Sequence, residues 1–186
     1  MRVFLTGISC VGKTTIGEKV ADLLGVRFFD LDAEVETFFG TSIERLQMRF
    51  LTTHAYRNEA AKALIDLLRR PESQDSVVAL PPSGLMGAYL RAIKKTNGIT
   101  VALRDLPENI LQRITFYDMD SNPIEKVLTR DEKRLYLREI KKDITYFRKT
   151  YERAHLQVDI SGMGVDQAAR KVKETLDVFV RGLAGG

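Results

Sequence analysis

Gly7-Ile8-Ser9-Cys10-Val11-Gly12-Lys13-Thr14 follows directly on the apolar run Val3-Phe4-Leu5 and completes the pattern G-x-x-x-x-G-K-[ST]. A short strand, a glycine-bearing loop and a helix start, in that order, make a phosphate cradle. Successive backbone N–H groups turn inward around an anion, and the helix directs its positive N-terminal end at the same point. Lys13 is expected to reach the outer phosphates of a nucleoside triphosphate, and Thr14 to ligate Mg²⁺. Gly7 and Gly12 permit the backbone angles and close approach that such a loop requires. A glycine turn with an incidental lysine would account for neither the strand before it nor the helix after it. The residues expected around the nucleoside triphosphate are therefore Gly7, Ser9, Cys10, Val11, Gly12, Lys13, Thr14 and Thr15.

The 186 residues, 44% hydrophobic and 29% charged, are enough for a sizeable core and contain no low-complexity block or linker, so one domain over residues 1–186 is expected. A single cysteine rules out an intrachain disulfide framework, and Cys10 reads first as a small space-filling residue. With no apolar leader or long apolar span, the chain is expected to be cytoplasmic and free of membrane. The net charge of +4 is modest. Much of the excess lies between Arg130 and Arg153, where basic residues alternate with Asp131, Glu132, Glu139, Asp143 and Glu152, as on a solvated helix. That neutralised pattern disfavours a nucleic-acid partner, and no feature marks an oligomer interface.

Outward from the loop, short strand-like runs alternate with longer helical ones, the pattern of a parallel sheet covered by helices. Strands are expected at Arg2–Leu5, Arg27–Phe29, Ser76–Leu80, Thr100–Leu103 and Leu156–Ile160. The first helix runs from Lys13 to Leu24 with Ile16, Val20, Leu23 and Leu24 on one face, and Gly25 caps it. Thr41-Ser42-Ile43-Glu44 reads as a capping box opening a helical stretch to about Arg70, in one or two pieces. Pro107 fits the first turn of a helix carrying Ile110, Leu111 and Arg113. A Thr129/Glu132 capping box starts a helix to about Tyr151, and a last helix covers Val165–Val180. Between them, residues 115–129 lose all period and are rich in turn formers, which suits a mobile lid. His54 and His155 fall in helical stretches without a third ligand at metal spacing, and Met48 is expected in the core.

Ligands of open α/β sheets bind outside the C-terminal ends of the strands. Asp30 and Asp32 stand at such an end. A carboxylate beside a phosphate loop can hold Mg²⁺ through water or accept the proton of an attacking hydroxyl, and one two residues on can hold the acceptor. The competing reading of the pair is a helix N-cap with a solvated neighbour.

The phosphate loop, Phe28-Phe29-Asp30-Leu31-Asp32-Ala33-Glu34, Thr41-Ser42-Ile43-Glu44 and Tyr56-Arg57, in that order, resemble the shikimate kinase family over nearly the whole chain. The resemblance implies a three-layer α/β/α fold with a five-stranded parallel sheet of the nucleoside monophosphate kinase type and a closing lid. It implies a small-molecule kinase of aromatic amino acid biosynthesis that passes the γ-phosphoryl group of ATP, with Mg²⁺, to a hydroxyl of shikimate or a similar hydroxylated carboxylate. Lys13 and Asp30 would then be catalytic, with Thr14 and Asp30 at the metal. Asp32 would hold substrate hydroxyls, and Arg57 would grip the substrate carboxylate with its planar fork. Without the family pattern, Arg57 would read as a surface arginine paired with a neighbouring acid. Arg113 fits the arginine that begins the lid and lies against adenine. Arg148 is near, but one place out of register with, a second carboxylate-binding arginine.

Three stretches depart from the family pattern. Where the family has three glycines after its third strand, this chain has Leu80-Pro81-Pro82-Ser83-Gly84, and proline has no N–H to donate. Ser83 and Gly84 are expected on the acceptor side. In Tyr56-Arg57-Asn58-Glu59-Ala60 the acid that supports the arginine has moved one residue, about 100° around a helix. Asn122 stands before Pro123 where the family lid has an arginine that stabilises the transferring group; Lys126 or Arg130 would replace it only in a differently folded lid. These departures carry the alternative reading, a nucleotide-binding protein of the same fold whose kinase activity is lost or repurposed for regulation or protein partners. A kinase for a different hydroxylated acceptor lies between the two.

Overall fold

Val3, Phe4 and Leu5 have no exposed surface on either face, which requires a central strand with helices above and below it. The computed structural model describes residues 1–184. It opens with β1 (Arg2–Thr6), α1 (Lys13–Leu24), β2 (Arg27–Asp30), α2 (Leu31–Phe39) and α3 (Ile43–Gln47). α4 (Thr53–Arg69), a 3₁₀ turn (Pro71–Ser73), β3 (Ser76–Ala79), α5 (Gly87–Ile93), β4 (Ile99–Arg104) and α6 (Pro107–Gln112) follow. The chain continues through β5 (Phe116–Tyr117), β6 (Pro123–Ile124), α7 (Arg130–Tyr151), β7 (Leu156–Asp159) and α8 (Val165–Ala184).

Five strands form a parallel sheet in the order β2-β3-β1-β4-β7. Phe4 pairs with Val78 on one side and Thr100 on the other. From β1 the chain first steps out to β2 and returns through β3, then crosses to β4 on the opposite side. That reversal opens a crevice at the C-terminal ends of the central strands, and the phosphate loop lies there. Successive residues of a strand face opposite ways. Leu5 packs with Val20, Val172 and Leu176 of α1 and α8, whereas Phe4 packs with Leu64, Leu67 and Tyr89 of α4 and α5. A Cβ on Gly17 would lie 2.5 Å from Phe28 Cε2, so glycine lets α1 approach β2 this closely.

The local signals set most boundaries. Gly25 adopts the left-handed conformation and closes α1 by donating to the carbonyls of Ala21 and Asp22. Thr129 and Glu132 form the expected reciprocal capping box.

Other expectations need correction. Asp30 caps a helix, α2, as the competing reading of the pair has it, although no helix is among the elements expected there. Ser42 rather than Thr41 caps the next helix; of the one or two pieces expected up to Arg70 the chain forms two, broken after Gln47, with Thr52 capping the second. Met48 lies at that break and is 75% exposed, not core. Leu23 faces solvent, because Gly17 and Ala21 line the inner side of α1 in its place. The stretch 115–129 is not featureless: β5 and β6 pair as an antiparallel hairpin. His155 sits between α7 and β7, where its ring Nδ1 accepts from the Thr100 amide at 3.0 Å. α8 runs to Ala184 rather than Val180.

Candidate functional site

β1 delivers the chain into the loop at Gly7, with φ +148, where a Cβ would lie 2.8 Å from the Leu103 carbonyl oxygen. α1 then starts from Gly12, itself left-handed, and no side chain caps it. The first amides of the helix therefore remain open to an anion. Cys10 holds φ 60, a conformation that favours glycine. Lys13 Nζ donates to the carbonyls of Gly7 at 3.1 Å and Ile8 at 2.9 Å, lying back along the loop. Burial holds its ammonium below the usual lysine range, against the pull of Asp32 and Asp30.

The expected metal residues meet. Thr14 Oγ1 donates to Asp30 Oδ2 at 2.6 Å, and Asp30 Oδ1 accepts from the Asp32 amide at 2.9 Å. One hydroxyl and one carboxylate at a phosphate loop suit Mg²⁺, which completes its shell with water and phosphate oxygens rather than a protein cage. No group of three or more His, Cys, Asp or Glu among the described residues offers an alternative metal cage. Asp32, on the first turn of α2, keeps access to solvent in the open cleft. Surrounding protein atoms and then Asp30 nonetheless push its carboxyl up to about 6, with Lys13 pulling the other way.

These residues share one cleft of about 570 Å³. Ser9, Cys10, Gly12, Lys13, Thr14 and Thr15 line one side, Asp30, Asp32, Leu80 and Pro82 another, and Arg113, Thr115 and Tyr117 the third. Arg57 is half-buried on α4, has no ion-pair partner among the described residues, and is close enough to Tyr89 for its charge to be felt there. Glu59, the displaced acid, binds Lys62 at 2.6 Å instead. Tyr56, beside Arg57, is pushed up to about 12, mainly by burial.

Of the expected acceptor residues only Asp32 lines this cleft; Arg57 stands outside its lining, and Ser83, Gly84 and Arg148 fall elsewhere. Ser83 and Gly84 are buried behind Pro82, and the Gly84 amide is spent on the Pro81 carbonyl at 2.8 Å. Pro82 itself lines the cleft, while its carbonyl accepts from Tyr151 Oη, a residue of the neighbouring cavity, at 3.2 Å. Arg148 lines a different cavity, with Ile8, Val11, Arg104 and Gln157. Phe147, one residue earlier on α7, is buried and stacked on Tyr151. The single-residue shift turns Arg148 away from Asp32.

Arg113 Nη1 donates to the Val11 carbonyl at 2.9 Å, and Nη2 pairs with Asp105. Asp105, whose side chain has no exposed surface, also accepts from the Leu106 amide and Asn109 Nδ2, each at 2.7 Å. Burial alone would raise its carboxyl, but Asn109, Arg113 and the Leu106 amide hold it below the usual range. The sequence reading missed Asp105 as a site residue, although Asp105, Asn109 and Arg113 recur at helical spacing. At the β5–β6 hairpin, Asn122 is committed to the Asp118 carboxylate, its amide at 2.9 Å and its side chain at 3.1 Å. Lys126 is committed to Glu132 at 2.9 Å and lies over the Phe116 and Tyr136 rings. Neither reaches the cleft, which leaves Arg113 as the guanidinium against the phosphate loop.

The shikimate kinase family model matches residues 9–181. The shikimate kinase of Salinibacter ruber (strain DSM 13855 / M31) is 34% identical over 166 residues, 86% of this chain and 76% of that protein. That of Chlorobaculum tepidum is 30% identical over 185 residues, 92% of this chain and 90% of its own. The crystal structure of shikimate kinase from Aquifex aeolicus superposes with a TM-score of 0.67 at 25% identity, covering 95% of this chain and 96% of that one.

Proposed function

The chain belongs to the shikimate kinase family, and we propose that it transfers the γ-phosphoryl group of ATP to a hydroxyl of shikimate. It is a phosphotransferase with an alcohol acceptor. The observation that carries the reading is the junction of the two half-sites: Thr14 on the phosphate loop touches Asp30, and Asp30 touches Asp32. The metal residue, the residue for the acceptor hydroxyl and the residue for the remaining hydroxyls are thus held in one connected set. The alternative of a fold retained without kinase activity is not favoured, because this set is intact.

In this reading the loop amides and Lys13 bind the phosphates, Lys13 exchanging its two carbonyl partners for phosphate oxygens. Thr14 and Asp30 would hold Mg²⁺, which supplies charge neutralisation at the transferring group. Asp30 orients the attacking hydroxyl and takes its proton. Asp32 fixes the acceptor's other hydroxyls, and Arg57, free of any competing acid, grips the carboxylate. Arg113 bounds the nucleotide side. Positioning and charge, rather than covalent chemistry, carry the rate. We assign these roles to one kinase unit over residues 1–186, with residues 115–129 as its lid. No helix among the described residues is long and apolar enough to cross a membrane.

The roles are separable by experiment. Lys13→Ala is expected to abolish nucleotide binding or turnover. Asp32→Ala and Arg57→Ala should raise the KM for shikimate at least about tenfold, the scale of a lost charge-assisted bond, while nucleotide affinity is kept. Wild-type KM values in both acceptor-side variants would refute the assignment.

A further inference from the structure

The hairpin β5–β6 does not stand free over the cleft; its tip is fastened to the acceptor side. Ser42 Oγ donates to the Met119 carbonyl at 2.6 Å, and Arg45 Nε pairs with Asp120 at 2.8 Å. Ser121 Oγ lies against two carboxylates, Glu44 at 2.7 Å and Glu36. These four contacts join residues at least 75 positions apart in sequence, so they belong to tertiary structure and not to the hairpin's own turn. Ser121 also holds φ 61, a left-handed conformation costly for a side-chain-bearing residue, and that conformation accompanies the docking of its hydroxyl on the two acids.

Glu36 lies one turn after Asp32 on α2, and Glu44 and Arg45 lie on α3. The partners of the hairpin are therefore α2, the helix that carries Asp32, and the short α3 that follows it, not the loop expected to carry the nucleotide. At its base the same hairpin places Thr115 and Tyr117 in the cleft wall.

We propose that Ser42, Arg45 and Ser121 are positioning residues that clamp the lid hairpin to α2 and α3, so that the lid and Asp32 move as one body and acceptor affinity depends on the clamp. The dependence on acceptor rests on the function proposed above; the clamp itself does not. Ser121 is its strongest element, because its hydroxyl meets two acids in a partly buried place. The exposed Arg45–Asp120 pair contributes less and chiefly fixes register.

Hydrogen exchange of the peptide spanning residues 115–124 tests the clamp without any substrate. Four proteins are compared: wild type, Ser121→Ala, Arg45→Asp, and the charge swap Arg45→Asp with Asp120→Arg. Exchange is expected to quicken about tenfold in Ser121→Ala and about threefold in Arg45→Asp, and to return to the wild-type rate in the swap. In steady-state assays the KM for shikimate should rise by the same factors, with nucleotide affinity within about twofold of wild type.

Unchanged lid exchange in both single variants would overturn the clamp. So would a swap that melts like wild type yet fails to restore protection. Faster exchange with an unchanged KM for shikimate, or with an equal loss of nucleotide affinity, would overturn the coupling to acceptor. If even the wild-type protein ignores shikimate while the exchange pattern appears, the clamp stands and the proposed substrate falls.

Discussion

Asp105→Ala should damage nucleotide binding from a position that no nucleotide need touch. The Asp105 carboxylate accepts from the Leu106 amide, Asn109 Nδ2 and Arg113 Nη2, and its side chain has no exposed surface. A buried hydrogen bond contributes about 0.5–1.5 kcal/mol net. The Arg113 contact counts at the low end, because that side chain is 37% exposed and partly screened. Three such bonds give about 2–3 kcal/mol, a shift of about 5–10 °C in melting temperature for a chain of this size. The functional effect follows from Arg113, which loses the anchor that presses it on the Val11 carbonyl of the phosphate loop. Freed, it must be ordered again when nucleotide binds, and ordering one long side chain together with one charge-assisted contact is a loss of about tenfold in affinity. Thermal melts and calorimetric titration with ATP measure the two effects independently. A variant that melts several degrees lower but binds ATP as tightly as wild type would refute the role given to Arg113 and leave Asp105 purely structural.

Asp32→Asn tests the crowding of the Asp32 carboxylate. With the folded pKa raised to about 6 from 3.8, the folded state holds its proton more tightly than the unfolded chain, so wild type loses stability as pH rises from about 4 to about 6. The melting temperature of Asp32→Asn should therefore gain on wild type across that window and keep a constant lead above it; a gap independent of pH would contradict the assignment. The N-terminal position of Asp32 on α2 favours its charge, but desolvation and Asp30 prevail. Gly17→Ala sets helix propensity against space: alanine gains up to about 1 kcal/mol in a helix interior, but a Cβ 2.5 Å from Phe28 and 3.1 Å from Leu5 overpacks the α1–β2 contact by about 1–3 kcal/mol. Urea unfolding should show a net loss of about 1–2 kcal/mol, and a stabilised variant would refute the packing argument.

What could be read from the sequence was local. The phosphate loop, the caps at Gly25 and Thr129, and the five central strands are each specified by neighbouring residues, and each appears within a residue or two of its expected place. Thr14, Asp30 and Asp32 converge because two strand ends deliver them to one crevice, which parallel topology already requires. The errors came where orientation or distant contacts decide. A shift of one residue turned Arg148 by about 100° into another cavity, and consecutive prolines folded Ser83 and Gly84 behind the loop they were expected to front. Asp30 both caps α2 and lines the cleft, so the two readings that the sequence sets against each other, helix cap and site residue, hold together at one side chain. The fastening of Ser121 to Glu36 and Glu44 spans the β5–β6 hairpin and two helices, and no short-range pattern carries it.

The most direct test of the account is ADP release from Mg·ATP by the purified protein with and without shikimate, with Lys13→Ala as the blank. Shikimate-dependent turnover, absent from the blank, is the predicted result, with the Pro81-Pro82 turn and Asn122 as tolerated variations of the family site. Retained ATP binding with no stimulation by shikimate would contradict it.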